Sequence, residues 1–257
     1  MNVLFRARFC AFSLLLMFGY AQALHAESSP MLEAELQPLK NAFAGDVAQV
    51  RAAISKLEWS GISDPEIFDV AAERLEANYK AQLPAEIELN SWLAKGLALS
   101  GNPKYQPLFD KILAMQTRKK KLRKHVEIAS QRLAVNQSWN PVIAKDNHLA
   151  QSQAELDKLR IKNMLNASLP DLVSTGTRLV YNHHKTDVEL MDEVHGILAA
   201  QYKNSTNPEH LDAMAWMCRT LGESGNSKYK GTLEQIAKDN AAHKKVRKYA
   251  EKYADYL

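Results

Sequence analysis

The chain has 257 residues, with 33 Lys or Arg against 29 Asp or Glu, and the formal net charge is only +4. Two of the positive charges, Arg6 and Arg8, lie at the N-terminus, so the balance gives no strong indication of a nucleic acid or another polyanion as a partner. The length is sufficient for a substantial buried core, and the chain needs no disulfides to fold.

Residues 1–26 have the layout of a secretory signal peptide. An apolar run of 13 residues from Phe9 to Ala21 follows the two arginines, and the small residues after it allow cleavage after Ala23 or Ala26. The run is short for a transmembrane helix, although an uncleaved N-terminal anchor is the alternative interpretation. We therefore expect a periplasmic or secreted protein.

The rest of the chain has the pattern of helices. Apolar residues recur at spacings of three and four, and the alternation typical of strands is missing. The first predicted helix follows Pro30. Asp46 is the expected N-cap of the second, and Asp64 with Pro65 begins the third, because a capping side chain followed by proline is typical of a helix start.

A glycine turn separates the next two predicted helices. The fourth covers about Glu86 to Leu99, and Gly101 suits the left-handed position that closes a helix. Asn102 and Pro103 then begin the fifth helix. The sixth runs from about Lys119 to Leu133. A connector over residues 136–153 follows, in which Asn140-Pro141 predicts a helix break.

The chain contains this organisation twice. Residues 92–133 align without a gap on residues 216–257, with 14 identities in 42 positions, and residues 64–79 align on residues 187–202. Such long-period self-similarity is typical of repeat proteins. The repeated positions to which we assign a structural role are Trp92, Gly101, Tyr105, Arg123, Trp216, Gly225, Tyr229 and Arg247.

We expect an all-α protein built from two tandem six-helix units, residues 27–135 and 154–257. Each unit is read as three antiparallel helix pairs. A single pair cannot bury its apolar stripe, whereas a stack of pairs can, so the pattern favours an α-solenoid. A pair of compact six-helix bundles is the alternative.

A short motif recurs in the second helix of several pairs. It is Val-Arg-x-x-Ile at residues 50–54, Leu-Arg-x-x-Val at 122–126 and Val-Arg-x-x-Ala at 246–250, followed three residues later by Leu57, Ala129 and Tyr253. This resembles the second-helix pattern of HEAT-like repeats in the armadillo-type superfamily. The resemblance implies a curved scaffold that binds proteins or other large ligands along one face.

The sixth helix of each unit begins with a basic cluster, which predicts a surface strip for anionic lipid head groups or another polyanion. The opposing interpretation is a solvated helix face whose charge is offset by neighbouring acids. Nucleic acid is not expected, because no nucleic-acid-binding module occurs. The residues of this basic strip are Lys120, Lys121, Lys124, Lys244, Lys245 and Lys248.

The remaining reactive side chains give weaker indications. His183, His184 and His195 lie close in sequence and suggest a metal-dependent hydrolase, but they have no counterparts in the first unit and no HExxH motif. Cys218 lies on an apolar stripe and is expected to be buried rather than reactive. No catalytic motif, cofactor or metal site is predicted. Our leading hypothesis is therefore an exported, non-enzymatic helical-repeat scaffold that binds a protein partner in the cell envelope. The alternatives are a membrane-surface module and, third, the hydrolase.

Overall fold

A computed structural model describes residues 30–115, 120–203 and 207–257, with side chains from residue 34 onward. The predicted signal peptide lies outside the described residues. The described part of the chain is all-helical and contains no strand, as the sequence predicts. The α-helices are α1 (Pro30–Ala44), α2 (Val47–Leu57), α3 (Pro65–Asn78), α4 (Pro84–Leu99), α5 (Gln106–Leu113), α6 (Lys120–Ile143), α7 (Gln153–Leu165), α8 (Pro170–His183), α9 (Val188–Gln201), α10 (Pro208–Gly222), α11 (Lys230–Lys238) and α12 (Lys244–Ala254).

The helix starts follow from local capping. Asp46 accepts a hydrogen bond from the backbone N–H of Gln49 at 2.9 Å, and the Gln49 side chain accepts one from the Asp46 N–H at 2.8 Å. This reciprocal pair satisfies two N–H groups that the first turn of α2 leaves without helical partners. Asp64 caps α3 ahead of Pro65 in the predicted manner. The cap predictions for α2 and α3 are confirmed.

The glycine turn has the predicted conformation. Gly101 has a φ of 61° and Gly225 a φ of 71°. In each case the following asparagine, Asn102 or Asn226, accepts from the N–H of the lysine two residues later, and a short 3₁₀ turn leads into α5 or α11. A single left-handed residue thus reverses the chain within three residues, because glycine adopts positive φ without steric cost.

Consecutive helices pack as neighbouring pairs. Each odd-numbered helix packs on the even-numbered helix that follows it. The even-numbered helices also pack side by side, α4 between α2 and α6, and α10 between α8 and α12. We call these six helices the even layer. The buried apolar residues form one core within residues 39–133 and a second within residues 161–254.

Helix α6 ends ten residues beyond the predicted end at Leu133, and the expected break at Asn140-Pro141 is wrong. Proline inside a helix costs about 3 kcal/mol, and tertiary contacts on both sides of Pro141 offset that cost. Trp139 and Ile143 are buried. The Asn140 side chain donates to the Leu99 carbonyl at 2.8 Å and to Ser63 Oγ at 3.0 Å.

The long α6 carries the chain back across the ends of α4 and α2 to α7. Asn163 of α7 donates to the carbonyl of Ile143 at 3.1 Å. A third small core of Trp139, Ile143, Met164 and Leu172 joins α6 to α7 and α8. As a result α7 lies beside α1, the first of the described helices. None of the described helices is long and apolar enough to cross a membrane.

Candidate binding surface

Two half-buried tryptophans occupy matching positions in the even layer. From Asn90 of α4 to Gly101 of the turn that follows it, only Trp92 and Lys95 are not buried. Between Ala213 and Gly222 of α10, only Trp216 and Arg219 are not buried. Both helices therefore present a tryptophan and, three residues later, a cation to the same strip of surface, because residues three apart share a helix face.

A second cation from the neighbouring helix covers each indole. The Arg51 guanidinium of α2 lies 5.0 Å from the ring centre of Trp92, and Lys95 lies 5.4 Å from it. In the other half, Arg178 of α8 lies 4.9 Å from Trp216 and Arg219 lies 5.1 Å from it. These distances are within the range of cation–π attraction. Each tryptophan thus has two positive groups within 5.4 Å of its ring centre.

The arginines reach the two indoles from different helical turns. At the shift of 123 that aligns residues 64–79 with residues 187–202, Arg178 aligns with Ser55 rather than with Arg51. Ser55 lies one turn beyond Arg51 on α2. The same tryptophan–arginine contact therefore forms in both halves although the arginines are not at aligned positions.

A third aromatic–cation group joins α6 to the segment that follows α2. The Arg132 guanidinium of α6 lies 4.6 Å from the ring centre of Trp139 and 5.9 Å from that of Trp59. The two indoles lie 6.4 Å apart. Burial lowers the pKa of Arg132 and the nearby Glu58 carboxylate opposes that shift. Glu58 also pairs with Lys95 at 3.8 Å, which connects this group to the one around Trp92.

Hydrogen bonds order the group around Trp216. Tyr181 donates to Glu223 at 2.7 Å, and Arg219 donates both to Glu223 at 2.9 Å and to the Tyr181 oxygen at 2.8 Å. Burial would raise the pKa of Glu223, but these donors together hold its pKa below the ordinary value. The carboxylate stays ionised and orients Arg219 over the indole. We name the three groups together the aromatic–cation strip: Arg51, Trp59, Trp92, Lys95, Arg132, Trp139, Arg178, Tyr181, Trp216 and Arg219.

The predicted basic strip lies at the first turns of α6 and α12. Lys120, Lys121 and Lys124 are exposed. Burial, followed by the charges of Lys121 and Lys124, lowers the pKa of His125. In α12, Lys245 pairs with Asp212, whereas Lys244 and Lys248 are exposed. Both lysine clusters therefore lie on the surface, and Asp212 offsets part of the charge of the second cluster.

The repeated tyrosines tie the glycine turns to the preceding helix pair. Tyr105 donates to Asp69 Oδ1 at 2.9 Å, and Tyr229 donates to Asp192 Oδ1 at the same distance. The lysine before each tyrosine also pairs with that aspartate, Lys104 at 2.7 Å and Lys228 at 2.6 Å.

The repeated arginines occupy unlike surroundings. Arg123 is exposed. Arg247 is partly buried and donates to Asn240 at 2.9 Å.

The histidines have ordinary partners. The His183 and His184 rings lie 6.5 Å apart at the end of α8. His195 lies on α9, where its Nε2 is 2.7 Å from Thr232 Oγ1 and its ring packs on Tyr229. In the described part of the chain, no three His, Cys, Asp or Glu side chains are grouped so that they could hold a metal ion.

The cations of the aromatic–cation strip were not predicted from the sequence. One signal was present: Trp92-x-x-Lys95 and Trp216-x-x-Arg219 carry a cation three residues after the repeated tryptophan. The second cation of each pair had no such signal, because Arg51 and Arg178 are not aligned. No protein-family model, curated protein or solved structure matches this chain.

Proposed function

We propose that this chain is an exported, non-enzymatic α-solenoid, built from two tandem copies of a six-helix unit, that binds a protein partner in the cell envelope. Helices α3 and α9 both have 14 residues and begin 123 positions apart. Tyr105 and Tyr229 each donate a hydrogen bond to an aspartate in these helices. The HEAT-like motif and the predicted leader support the same proposal.

The proposed solenoid does not follow chain order. Because Gln153 and Arg160 of α7 bind Glu35 of α1, we place the fourth helix pair next to the first, so that the six pairs would follow one another as third, second, first, fourth, fifth and sixth. In this arrangement the group of Trp59 and Trp139 lies between the groups of Trp92 and Trp216. The aromatic–cation strip then runs along the even layer of both halves.

The single observation that carries the binding proposal is the pair of half-buried tryptophans, each with two cations within 5.4 Å of its ring centre. Tryptophan, tyrosine and arginine are the residues most enriched among those that dominate the energy of protein interfaces. An indole fixed by its neighbours loses little conformational entropy when a partner covers it. Arginines beside it supply hydrogen-bond donors that match carboxylates, so the proposed partner presents acidic side chains.

Site-specific photo-crosslinking in cells tests this proposal. A photoreactive residue at Ser55, which is exposed beside Arg51, is expected to give a discrete adduct with one partner. The same residue at Glu73, exposed on α3, is the control and is expected to give none. The double substitution R51E/R178E should weaken the interaction at least about tenfold, because hot-spot changes cost 2 kcal/mol or more.

A charge control separates this strip from general charge effects. Lys238 is exposed on α11, so K238E changes the net charge without touching the strip. Arg51 and Arg178 are both exposed, so the double substitution R51E/R178E should leave the fold intact. No adduct at Ser55, or adducts that R51E/R178E leaves unchanged, would refute the proposal.

The basic strip carries a second candidate function, which is binding to an anionic membrane surface. Neither α6 nor α12 has an acidic residue in its first turn, and lysines there oppose the positive end of the helix dipole. A cluster with this local cost is consistent with an external anion. Sedimentation with phosphatidylglycerol vesicles at low salt tests the idea, and charge reversal of all six lysines should abolish it. Wild-type protein that stays in the supernatant would exclude this function.

A further inference from the structure

A cleft of about 500 Å³ separates α7 from α1 and α2, where the half formed by α1 to α6 meets the half formed by α7 to α12. We call this space the junction cleft. Folded interiors contain few voids larger than a water molecule, so the facing helices are not closely packed here. The wall on α1 and α2 is mostly alanine, at Ala34, Ala42, Ala52 and Ala53.

The face of α7 that borders the junction cleft is polar. Gln153, Asp157 and Arg160 line it at spacings of four and three residues, which places them on one side of the helix. A polar face opposite an alanine wall does not form the interlocking apolar seam that holds packed helices together. Helix α7 packs instead on α6, α8 and α9.

The two sides of the junction cleft are joined through one side chain of α1. The terminal nitrogens of Arg160 bind the two oxygens of Glu35 at 3.1 and 2.8 Å, and the Gln153 amide donates to Glu35 at 3.0 Å. Among the described residues, no other side chain of α1 or α2 hydrogen-bonds to α7. The closed cleft therefore depends on Glu35 and its partners.

The same face of α7 becomes apolar one turn beyond Arg160. Met164 packs there with Trp139 and Ile143 of α6 in the third core, which is much smaller than the core of either half. The chain leaves α6 at this place, and Asp146 in the connection has a left-handed φ of 59°. Hinges are typically a few loop residues, and relative motion is expected where the shared interface is small.

We propose that the two halves turn relative to each other about the third core, and that the Glu35–Arg160 pair is the latch that holds the junction cleft closed. This goes beyond the proposed function, because it concerns the joint between the halves and requires no partner. Trp92 lies in the first half and Trp216 in the second, so opening changes the distance between their two groups. A partner that contacts both groups would select one arrangement of the halves.

Pulsed electron paramagnetic resonance between paired spin labels tests this motion. A protein that starts at residue 27 and carries C218A has no other cysteine. Labels at E73C and K238C, on exposed positions of α3 and α11, report the distance across the halves. Labels at E73C and Q131C report the first half alone, and labels at D171C and K238C report the second half alone.

A charge reversal and a charge swap provide the matched variants. R160E places a third carboxylate beside Glu35 and Asp157, and like charges at this range repel. We expect R160E to change the mean distance across the halves by at least about 2 Å and to leave both within-half distances unchanged. E35R/R160E restores opposite charges and should return the distance to that of the wild type.

R123E is the control for net charge, because Arg123 is exposed on α6 and does not line the junction cleft. It should leave all three distances as in the wild type. An unchanged distance across the halves in R160E, or an equal change in R123E, would overturn the proposal. The same conclusion would follow from a change in either within-half distance in R160E, or from a charge-swapped protein that behaves like R160E.

Discussion

Arg160 and Glu35 are 125 positions apart in the chain and form a two-point ion pair, with nitrogen–oxygen distances of 3.1 and 2.8 Å. The pair joins α7 to α1 and thereby defines how the second half of the molecule meets the first. The guanidinium is nearly inaccessible and the carboxylate side chain is 20% exposed. Its contribution to stability therefore depends on both partners being present.

Removal of one partner alone should be more costly than removal of both. R160M leaves a mostly buried carboxylate with only the Gln153 amide as a partner, and we expect a loss of about 2–4 kcal/mol in the free energy of unfolding, since a broken buried pair costs several kcal/mol. The double variant R160M/E35L should be less destabilised than R160M. Urea unfolding of the wild type, R160M, E35L and the double variant measures this coupling. Additive losses would show that the pair has no cooperative role.

The two glycine turns should respond differently to alanine. Gly225 has open space where a Cβ would lie, so G225A should cost only the strain of a left-handed alanine, about 1 kcal/mol. At Gly101 the added Cβ would lie 2.6 Å from backbone atoms of Asn136 and Gln137 in α6. G101A should therefore cost at least about 2 kcal/mol more. Denaturation of the two variants provides the comparison, and equal losses would contradict the close approach of α6.

Acid should weaken the contact between α9 and the end of α11. Hydrogen bonds from Lys203, Tyr202 and the Ala241 N–H lower the pKa of Asp239 from 3.8 to about 2. A carboxylate whose folded-state pKa is depressed adds stability above the unfolded value, and that stability is lost as the pH falls through the folded value. We therefore expect the melting temperature to fall between pH 3.8 and about pH 2, and to fall less in D239N.

Two tyrosine variants provide a test and a matched control for this acid prediction. Tyr202 donates to Asp239 at 2.7 Å, whereas Tyr256 is exposed. Y202F should reduce the acid sensitivity in the same direction as D239N, and Y256F should leave it as in the wild type. An identical acid response in all four proteins would refute the assignment to Asp239.

Cys218 should be unreactive in the folded protein. Its side chain is fully buried, and burial raises the pKa of the thiol to about 12, so the reactive thiolate is scarce at neutral pH. In a protein that starts after Ala26, thiol reagents should modify no residue natively and one residue in urea. Rapid native labelling would show that α10 opens easily.

Substitutions at Cys218 test the packing around it. The aligned residue Ala94 is buried in α4, so C218A should cost about 1 kcal/mol. C218S places a hydroxyl in the same apolar site and should cost about 2 kcal/mol. Thermal unfolding distinguishes the two, and a serine variant as stable as the alanine variant would contradict an apolar environment.

Much of the helical organisation could be predicted from the sequence because its signals are local. A capping carboxylate such as Asp46 bonds to an N–H three residues away, and Gly101 needs only its own positive φ to close a helix. Such interactions depend little on the rest of the fold. Burial of Cys218, Tyr105 and Tyr229 likewise agrees with the helical spacing of their apolar neighbours.

The path of α6 was not predictable in the same way. Asn140-Pro141 is a local signal for a helix break. The helix nevertheless continues, because Trp139, Asn140 and Ile143 make stabilising contacts with distant segments. Without that longer helix the return of the chain to α1 cannot be inferred. A local cost of a few kcal/mol is exceeded by packing and hydrogen bonds that only the folded backbone brings together.

By itself, then, the sequence determined the helical class, the main caps and glycine turns, and the repeated tryptophans and tyrosines. The tertiary structure alone decided that Arg51 and Arg178 reach equivalent indoles from different turns, and that Arg160 of α7 meets Glu35 of α1. The physical reason is the distance along the chain over which each kind of interaction acts. Backbone capping acts over a few residues, whereas the meeting of distant side chains depends on the path of every helix between them.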